Sequence, residues 1–296
     1  MADLPIDQVR TLLAAVEEGT FEAAARALHL TPSAISQRIK ALEQRVGRVL
    51  LQRSKPVRLT ESGEVLARFA RQFRLLAQEA DAELGVDGDI RPTTLPIAVN
   101  ADSLATWFLD ALTAVPGDVS FVLHREDQDH TTDLLREGLV MAAVTSSPEP
   151  VQGCSVRALG RMTYRAMASP EFAARWLDGP LQEVLPQAPV VVFDSKDDLQ
   201  HRFAQAVTGR DPGMRRHYVP ASDVFLTAVH KGLGWGMIPD RQADEQSALG
   251  LLIDLAREHP VHVPLYWQQW KLDSPPLSAL AEAVAGIAAD HLAPLV

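Results

Sequence analysis

Apolar residues recur every three to four positions at the start of the chain, which is the spacing of one face of an α-helix. A first set with this spacing ends before Gly19 and comprises Ile6, Val9, Leu12, Leu13 and Val16. The alanine-rich stretch that follows Thr20, a good N-cap residue, predicts a short second helix. The pattern therefore predicts two helices within the first 30 residues.

A third helix is predicted in "LTPSAISQRIKALE", residues 30–43. Thr31 suits the N-cap, and Pro32 suits the first helical position because a missing N–H is harmless there. The apolar stripe consists of Ile35, Ile39, Leu42 and Val46. Polar residues lie off this stripe, most of them near the N-terminal end. Two short helices, a tight turn and a helix with a polar outer face predict a helix-turn-helix.

Two further elements follow the third helix. The stretch "RVLLQRSKPVRLT" predicts two short strands joined by a basic turn, which is the pattern of a wing. Thr60 then begins about 25 residues of predicted helix. Its apolar seam consists of Val65, Leu66, Phe69, Phe73, Leu76 and Ala80. Because nothing local can cover this seam, we expect residues 61–85 to pair with the same helix of a second copy.

Cations concentrate in this region of an acidic chain. The 296 residues carry a formal net charge of -10, yet residues 26–74 hold eleven Lys and Arg against three Glu, a local charge of +8 that leaves -18 elsewhere. Such a block is typical of a nucleic-acid-binding segment, although a solvated cationic face is the alternative. We expect DNA contacts from the following residues: Thr31, Pro32, Ser33, Ser36, Gln37, Arg38, Lys40, Arg53, Lys55 and Arg58.

After a Gly-, Asp- and Pro-containing linker at residues 85–94, short apolar strands alternate with helical patterns, from "LPIAVN" to "WGMIPD". This alternation predicts parallel α/β sheets, arranged in two small lobes. Ligands of such sheets bind at the carboxyl ends of the strands. The polar residues that follow the predicted strands are Asn100, Asp102, Ser103, Glu126, Asp127, Thr145, Ser146, Asp194, Ser222 and Asp223.

The chemistry of these ten residues indicates a cationic ligand. Hydroxyls such as those of Ser103 and Thr145 can hold an α-carboxylate, whereas the excess of carboxylates favours an ammonium or guanidinium group. A basic amino acid carries both kinds of group. The alternative is that Asp and Ser at strand ends act as N-caps and turn formers, which need no ligand.

Several stretches of the sequence resemble a known protein family. "FEAAARALHLTPSAISQRIKALEQRVGRVLL" and "RLTESG" resemble the DNA-binding domain of LysR-type transcriptional regulators, and "NADSLATWFLDAL", "FDSKDDLQHRF" and "MIPD" are similar to its lysine- and arginine-responsive (ArgP/LysG) branch. The resemblance implies an α/β protein with an N-terminal all-α winged helix-turn-helix (1–60), a dimerising linker helix and hinge (61–91), and a two-lobed periplasmic-binding-protein-like effector domain (92–296). Lobe I then comprises about 92–163 and 267–296, and lobe II about 164–266. The implied crossings between the lobes are candidate hinges, at 160–165 and 264–270.

The same resemblance implies a function and a set of partners. The chain is expected to bind double-stranded DNA as a homodimer or homotetramer, with RNA polymerase as a further partner. Its effector is expected to be lysine, arginine or histidine, with no cofactor and no metal. The expected outcome is activation of a basic amino acid exporter gene. A protein that organises DNA or controls replication without an effector would use the same N-terminal half, and remains the alternative.

The sequence also argues against other classes of protein. It contains no GxSxG, no phosphate-binding glycine loop, no HExxH and no CxxC, so we do not expect an enzyme. Cys154 is the single cysteine, which excludes an internal disulfide and favours a packed residue. No apolar run reaches the ~20 residues that span a bilayer, and no signal peptide pattern is present. A cytoplasmic protein without membrane contact is expected.

Overall fold

The computed structural model describes residues 4–52, 54–84, 92–125, 128–212 and 215–295. A small N-terminal unit, here called the head (residues 4–60), is followed by one long linker helix. A two-lobed α/β unit, here called the C-terminal domain (residues 92–295), completes the fold. Among the described residues, no helix is both long enough and apolar enough to cross a membrane.

Three helices and a small β-ribbon form the head, as the hydrophobic pattern predicts. Their bounds are α1 (Ile6–Glu17), α2 (Phe21–Ala27), α3 (Pro32–Val46), β1 (Leu51–Gln52) and β2 (Arg58–Leu59). Thr20 caps α2 by accepting a hydrogen bond from the N–H of Ala23 at 3.1 Å. Thr31 caps α3 in the same way through the N–H of Ala34 at 3.2 Å. The apolar stripes meet in one core that includes Leu12, Ile35, Ile39 and Leu42.

The linker helix α4 (Glu61–Leu84) extends for 24 residues. The hydroxyl of Thr60 caps it by accepting from the N–H of Gly63 at 3.1 Å. The residues of the predicted apolar seam do not share one environment. Leu66 is buried in the core of the head. Four other residues of the seam are exposed: Val65, Phe69, Phe73 and Leu76. Leu75, outside the predicted seam, is buried in the core of the C-terminal domain. The linker helix therefore packs on both units and leaves a third, apolar face uncovered.

Lobe I of the C-terminal domain begins with alternating strands and helices. The elements are β3 (Thr93–Val99), α5 (Ala101–Thr106), α6 (Phe108–Thr113), β4 (Val119–Arg125), α7 (Gln128–Arg136) and β5 (Ala142–Thr145). Strand β3 pairs in parallel with both β4 and β5. The sequence predicts one helix where α5 and α6 occur. The helix is interrupted at Trp107, whose buried ring contacts that of Phe108 edge-on at a centroid distance of 5.7 Å.

The chain crosses to lobe II along β6 (Cys154–Ala168) and returns along β11 (Val261–Trp270). Lobe II comprises α8 (Pro170–Trp176), α9 (Leu181–Val184), a 3₁₀ turn (Leu185–Gln187), β7 (Val190–Val192), α10 (Leu199–Thr208), β8 (Arg216–Tyr218), α11 (Ser222–His230), β9 (Gly236–Pro239), α12 (Asp240–Ala248) and β10 (Ile253–Asp254). The last helix, α13 (Pro275–His291), returns to lobe I and packs on α6.

One mixed sheet connects the two lobes, in the order β10-β6-β11-β5-β3-β4, with β9 also paired to β6. Strands β6 and β11 are antiparallel, and their pairing runs from Cys154 opposite Trp270 to Tyr164 opposite Val261. The predicted parallel pairing is therefore present, but the central sheet is mixed rather than all parallel. The two crossing strands add antiparallel pairs to the parallel β3–β4, β3–β5 and β7–β8 pairs. Both predicted crossings, 160–165 and 264–270, lie within these continuous strands.

Candidate functional site

Helix α3 presents its polar residues on the outside of the head. The candidates on this helix and its N-cap are all exposed or half-buried: Thr31, Pro32, Ser33, Ser36, Gln37, Arg38 and Lys40. Ser33, Gln37 and Lys40 are exposed and lie three to four residues apart, so they share one face. A hydroxyl, an amide and an ammonium group on one convex face can contact base edges and phosphates.

The wing, which consists of β1, β2 and the turn between them, carries two further predicted cations. Lys55 and Arg58 are both exposed. The N–H of Val57 donates to the carbonyl of Gly19 at 2.8 Å, which attaches the wing to the turn between α1 and α2. Arg53 lies outside the described residues. Both described cations are thus free to reach a phosphate backbone.

The carboxyl end of β3 carries two buried polar groups that have no hydrogen-bond partner among the described residues. Asn100 immediately precedes α5 and is buried, and its side-chain Oδ1 is unpaired. Ser103 lies within α5 and is fully buried, with an unpaired Oγ. Because buried polar atoms are normally hydrogen-bonded, both groups are suited to contact a bound molecule.

Asp102 connects the two lobes of the C-terminal domain. Its Oδ1 accepts a hydrogen bond from the hydroxyl of Ser222, at the start of α11 in lobe II, at 2.9 Å. Its Oδ2 accepts from the hydroxyl of Tyr164, on the crossing strand β6, at 2.8 Å. Burial raises the pKa of Asp102, and the two hydroxyl hydrogen bonds act in the opposite direction. A carboxylate therefore lies where lobe I, lobe II and a crossing strand meet.

A second carboxylate, that of Asp197, lies within electrostatic reach of the first. It accepts hydrogen bonds from the N–H of Phe193 at 3.0 Å, the N–H of Leu199 at 3.1 Å and Nε2 of Gln200 at 3.0 Å. Burial is the main cause that raises the pKa of Asp197, and the negative charge of Asp102 raises it further. Burial, followed by the charges of both carboxylates, raises the pKa of the Tyr164 hydroxyl well above its ordinary value.

Sequence reasoning included Asp102 and Ser222 among the candidates, but it missed Tyr164 and Asp197. Tyr164 belongs to a stretch whose sequence indicates only a crossing between lobes, and Asp197 belongs to the acidic stretch that also contains Asp194. In the structure, Oδ1 of Asp194 accepts two backbone N–H groups of the following turn, at 2.7 and 3.1 Å. The sequence offers no signal that would separate the two aspartates, because the difference depends on which side chain faces Asp102.

The remaining predicted effector residues differ in how deeply the structure buries them. Thr145 is fully buried at the end of β5, and its hydroxyl accepts a backbone N–H two residues further on at 3.2 Å. Ser146 is half-buried, and Asp223 is exposed in the first turn of α11. Glu126 and Asp127 lie outside the described residues. The structure therefore brings Asp102, Ser222 and two unpredicted residues together, and leaves Asp223 on the surface.

Other kinds of site find no support in the part of the chain that the structure describes. No group of His, Cys, Asp and Glu residues there could hold a metal ion. Cys154 is buried at the start of β6, and burial raises the pKa of its thiol to about 12. A thiol with this pKa stays protonated at neutral pH and is unreactive, which agrees with a packed residue.

Family models match both units of the chain. Residues 6–64 match the model of the bacterial regulatory helix-turn-helix protein, lysR family. Residues 93–288 match the LysR substrate binding domain. The first match covers the head with the start of the linker helix, and the second covers nearly all of the C-terminal domain.

Proteins of known name or structure match this chain over nearly its full length. The lysine export transcriptional regulatory protein LysG of Corynebacterium glutamicum is 43% identical over 291 residues, which is 97% of this chain and 99% of LysG. The crystal structure of ArgP from Mycobacterium tuberculosis is 43% identical with a TM-score of 0.89, covering 97% of this chain and 98% of ArgP. Full-length LysG from C. glutamicum with bound effector Arg is 42% identical with a TM-score of 0.80, covering 98% of this chain and 100% of that structure.

Proposed function

The chain belongs to the LysR family of bacterial transcription regulators, and from that premise we propose that a basic amino acid (lysine, arginine or histidine) controls its binding to DNA. The proteins that it resembles are named as regulators and not as enzymes. In the proposed division, residues 1–60 bind DNA, residues 61–91 connect, and residues 92–296 bind the effector between two lobes.

The observation that carries this proposal is the Asp102 carboxylate between the lobes, with the Asp197 carboxylate in electrostatic reach. A cation ~4 Å from one carboxylate gains on the order of 4 kcal/mol at an effective dielectric of ~20, before desolvation is subtracted. Burial disfavours two negative charges in this position, and a bound cation would offset that penalty. The guanidinium group of arginine has donors enough to contact both carboxylates, whereas lysine offers a single ammonium.

The α-ammonium and α-carboxylate groups of the effector would find hydrogen-bond partners next to Asp102. Oδ1 of Asn100 can accept from an α-ammonium group, and Oγ of Ser103 can donate to an α-carboxylate. Thr145 is the last residue of the neighbouring strand β5, and Ser146 follows it, at the same edge of the sheet. We therefore keep the ten predicted residues as the proposed effector site and add Tyr164 and Asp197. The Arg bound in LysG of C. glutamicum, at 42% identity, supports this class of ligand.

The proposed DNA contacts are those of α3 and the wing, with a second copy of the chain beside the linker helix. The exposed residues Phe69 and Phe73 border a groove of about 750 Å³ between α1 and α4. Pairing of two linker helices across this apolar surface would place two recognition helices about 34 Å apart, one turn of DNA. A tetramer, RNA polymerase as a partner and a cytoplasmic location complete the proposal. Its target would be an exporter gene, because a relative is named for lysine export.

The alternative function, an effector-independent protein that organises DNA or controls replication, would use the same head. It leaves the carboxylates between the lobes without a role. The names of the relatives also give it no support, since they describe transcription regulation and lysine export.

Calorimetric titration of the purified protein with lysine, arginine, histidine and glutamate tests the proposal. Saturable binding confined to the basic amino acids is the expected result. Binding of glutamate, or the absence of heat with all four amino acids, would contradict it.

A further inference from the structure

Three arginines of the basic block lie on the linker helix, and each of them contacts another part of the same chain. Arg71 is buried, Arg68 is half-buried, and Arg74 pairs with Glu17 of α1 at 2.9 Å. Their charges contribute to the local excess of cations that suggested DNA binding. The contacts of Arg68 and Arg71 lead instead to the C-terminal domain.

Arg71 touches all three parts of the chain. It belongs to the linker helix, and its Nη1 donates to the carbonyl of Glu137 in lobe I at 2.7 Å. Its Nε lies 3.9 Å from the Glu17 carboxylate of the head. Glu137 directly follows the last residue of α7, where unpaired carbonyls carry partial negative charge. A guanidinium group thus joins the end of α1 to the end of α7.

Arg68 contacts the same end of α7 about one helical turn earlier in the linker helix. Its Nη1 donates to the carbonyl of Arg136 at 3.4 Å, and its guanidinium lies 5.5 Å from the ring centroid of Trp270. The backbone of Gly138 approaches so closely that an added Cβ would lie 2.8 Å from Cγ of Arg68. Gly138 has a φ of +67°, which favours glycine. The linker helix is therefore in direct contact with the end of α7.

A buried carboxylate secures the linker helix at a second point. Glu79 lies two helical turns after Arg71, and it accepts a hydrogen bond from the hydroxyl of Ser274. The same hydroxyl accepts from the N–H of Leu277, so Ser274 is the N-cap of α13. Leu75, midway between the two charged residues, is buried in the core of the C-terminal domain. The linker helix thus places a cation at the end of α7 and an anion at the start of α13, as the helix dipoles favour.

Helix α7 extends from the proposed effector site to this contact. Strands β3, β4 and β5 are parallel, so their carboxyl ends share one edge of the sheet, where Asn100 and Asp102 lie. Helix α7 begins at that edge, after β4, and ends at the opposite edge, before β5. Its nine residues span about 13 Å, at a rise of ~1.5 Å per residue. A displacement of α7 at the proposed effector site would consequently move the other end of α7 against Arg68 and Arg71.

From these contacts we infer that Arg71 is a positioning residue that holds the head in one orientation on the C-terminal domain and transmits movements of α7 to the head through Glu17 of α1. The inference rests on the proposed effector control, since it describes the route from effector to head. The first half of the inference, that Arg71 fixes the orientation of the head on the C-terminal domain, does not require a ligand. Energetic coupling of this kind requires a contact whose geometry differs between two states.

The experiment measures the distance between the two units by electron spin resonance on the full-length protein. Spin labels are attached at Glu22→Cys and Asp290→Cys, two exposed positions on the head and on α13. The native Cys154 is buried and unreactive, so it does not take up label. The test variant is Arg71→Met, and its control is Arg74→Met, which removes the exposed partner of the same Glu17.

A second pair of variants covers the case in which Arg71→Met fails to fold. Gly138→Ala introduces a methyl group against Arg68, whereas Gly209→Ala has the same φ of +67° and nothing within 4 Å of the new Cβ. Both variants share the backbone strain, but Gly138→Ala alone adds the contact with Arg68. Any difference between them therefore reports on the contact.

Without ligand, we expect a broader distance distribution in Arg71→Met and Gly138→Ala than in wild type, Arg74→Met and Gly209→Ala. With arginine, we expect the wild-type distance to shift and the shift to be lost in the two test variants, while their calorimetric affinity for arginine is retained. Unchanged distributions in both test variants would overturn the inference. If none of lysine, arginine and histidine binds or shifts the wild-type distance, the proposed function fails, and the widths of the ligand-free distance distributions still decide the role of Arg71.

Discussion

The carboxylate of Asp102 accepts a hydrogen bond from the hydroxyl of Ser222 at 2.9 Å, and this bond joins lobe I to lobe II. Tyr164 donates to the second carboxylate oxygen, so a carboxylate of lobe I is held by two neutral hydroxyls, one from lobe II and one from a crossing strand. In the proposed function, this charge and that of Asp197 select a basic effector.

Replacement of Asp102 by Asn should weaken the binding of arginine by about 2 kcal/mol or more, roughly 30-fold, because the effector loses a buried partner of opposite charge. Asp178→Asn removes an exposed carboxylate of lobe II and should leave the affinity unchanged. Calorimetric titration measures both variants. Equal affinities in wild type and Asp102→Asn would show that Asp102 does not contact the effector.

The affinity for arginine should fall at acidic pH. Burial raises the pKa values of Asp102 and Asp197 above the ordinary Asp value of 3.8, so both carboxylates take up protons sooner than exposed ones. The guanidinium group binds the ionised forms. Affinity is therefore full above the raised pKa values and is lost as the pH falls through them. Titrations over this range, in buffers of different ionisation enthalpy, should show proton release on binding. A constant affinity would contradict the prediction.

The stability of the ligand-free protein should respond to pH in the opposite sense. A raised pKa means that the folded state binds protons more tightly than the unfolded state. The stabilisation is present in full below 3.8 and is lost as the pH rises through the raised pKa of Asp102. Asp102→Asn removes this contribution. The unfolding temperature of the variant, relative to that of wild type, should therefore rise as the pH rises. If the difference in unfolding temperature between wild type and Asp102→Asn does not change with pH, the pKa of Asp102 is not raised.

Two head variants should separate base reading from phosphate contact. Gln37→Ala should reduce discrimination between a selected and a random DNA sequence by about 1–3 kcal/mol, because the amide can pair with a base edge. Arg58→Ala should weaken binding to both sequences alike and lower the slope of the salt dependence by about one. Binding isotherms at several salt concentrations measure both effects. Equal losses on both sequences for Gln37→Ala would contradict base reading.

The exposed face of the linker helix should hold the dimer together. Phe73 is 46% exposed in the isolated chain, and Phe73→Asp would place a charge in the proposed interface. Sedimentation should show a shift towards monomer for this variant. Leu249→Asp, at a residue 69% exposed in lobe II, is the matched control and should sediment like wild type. A Phe73→Asp variant that remains fully dimeric would exclude pairing through this face.

Much of the head could be predicted from the sequence, because its elements are set by local signals. The N-caps Thr20 and Thr31 and the apolar stripe of α3 all act within a few residues, and the structure confirms each. The mixed sheet could not be predicted in the same way. Its antiparallel pairs join residues as distant as Cys154 and Trp270, and no local pattern reports such a pairing.

The candidate site shows the same division between local and distant information. Residues at strand ends could be named from the alternating pattern, and Asp102 was among them. The contact of Asp102 with Tyr164 and Ser222 depends on how the lobes meet. The interaction of Asp197 with Asp102 and the contacts of Arg71 with Glu17 and Glu137 likewise depend on side-chain direction, which the sequence does not contain.

The central claim is that a basic amino acid changes how this regulator binds DNA. The most direct measurement is the affinity and bending of a DNA sequence selected by the protein itself, with and without saturating arginine, lysine, histidine or glutamate. We predict a change with at least one basic amino acid, no change with glutamate, and loss of the change in Asp102→Asn. Identical affinity and bending in the presence and absence of a bound basic amino acid would contradict the claim.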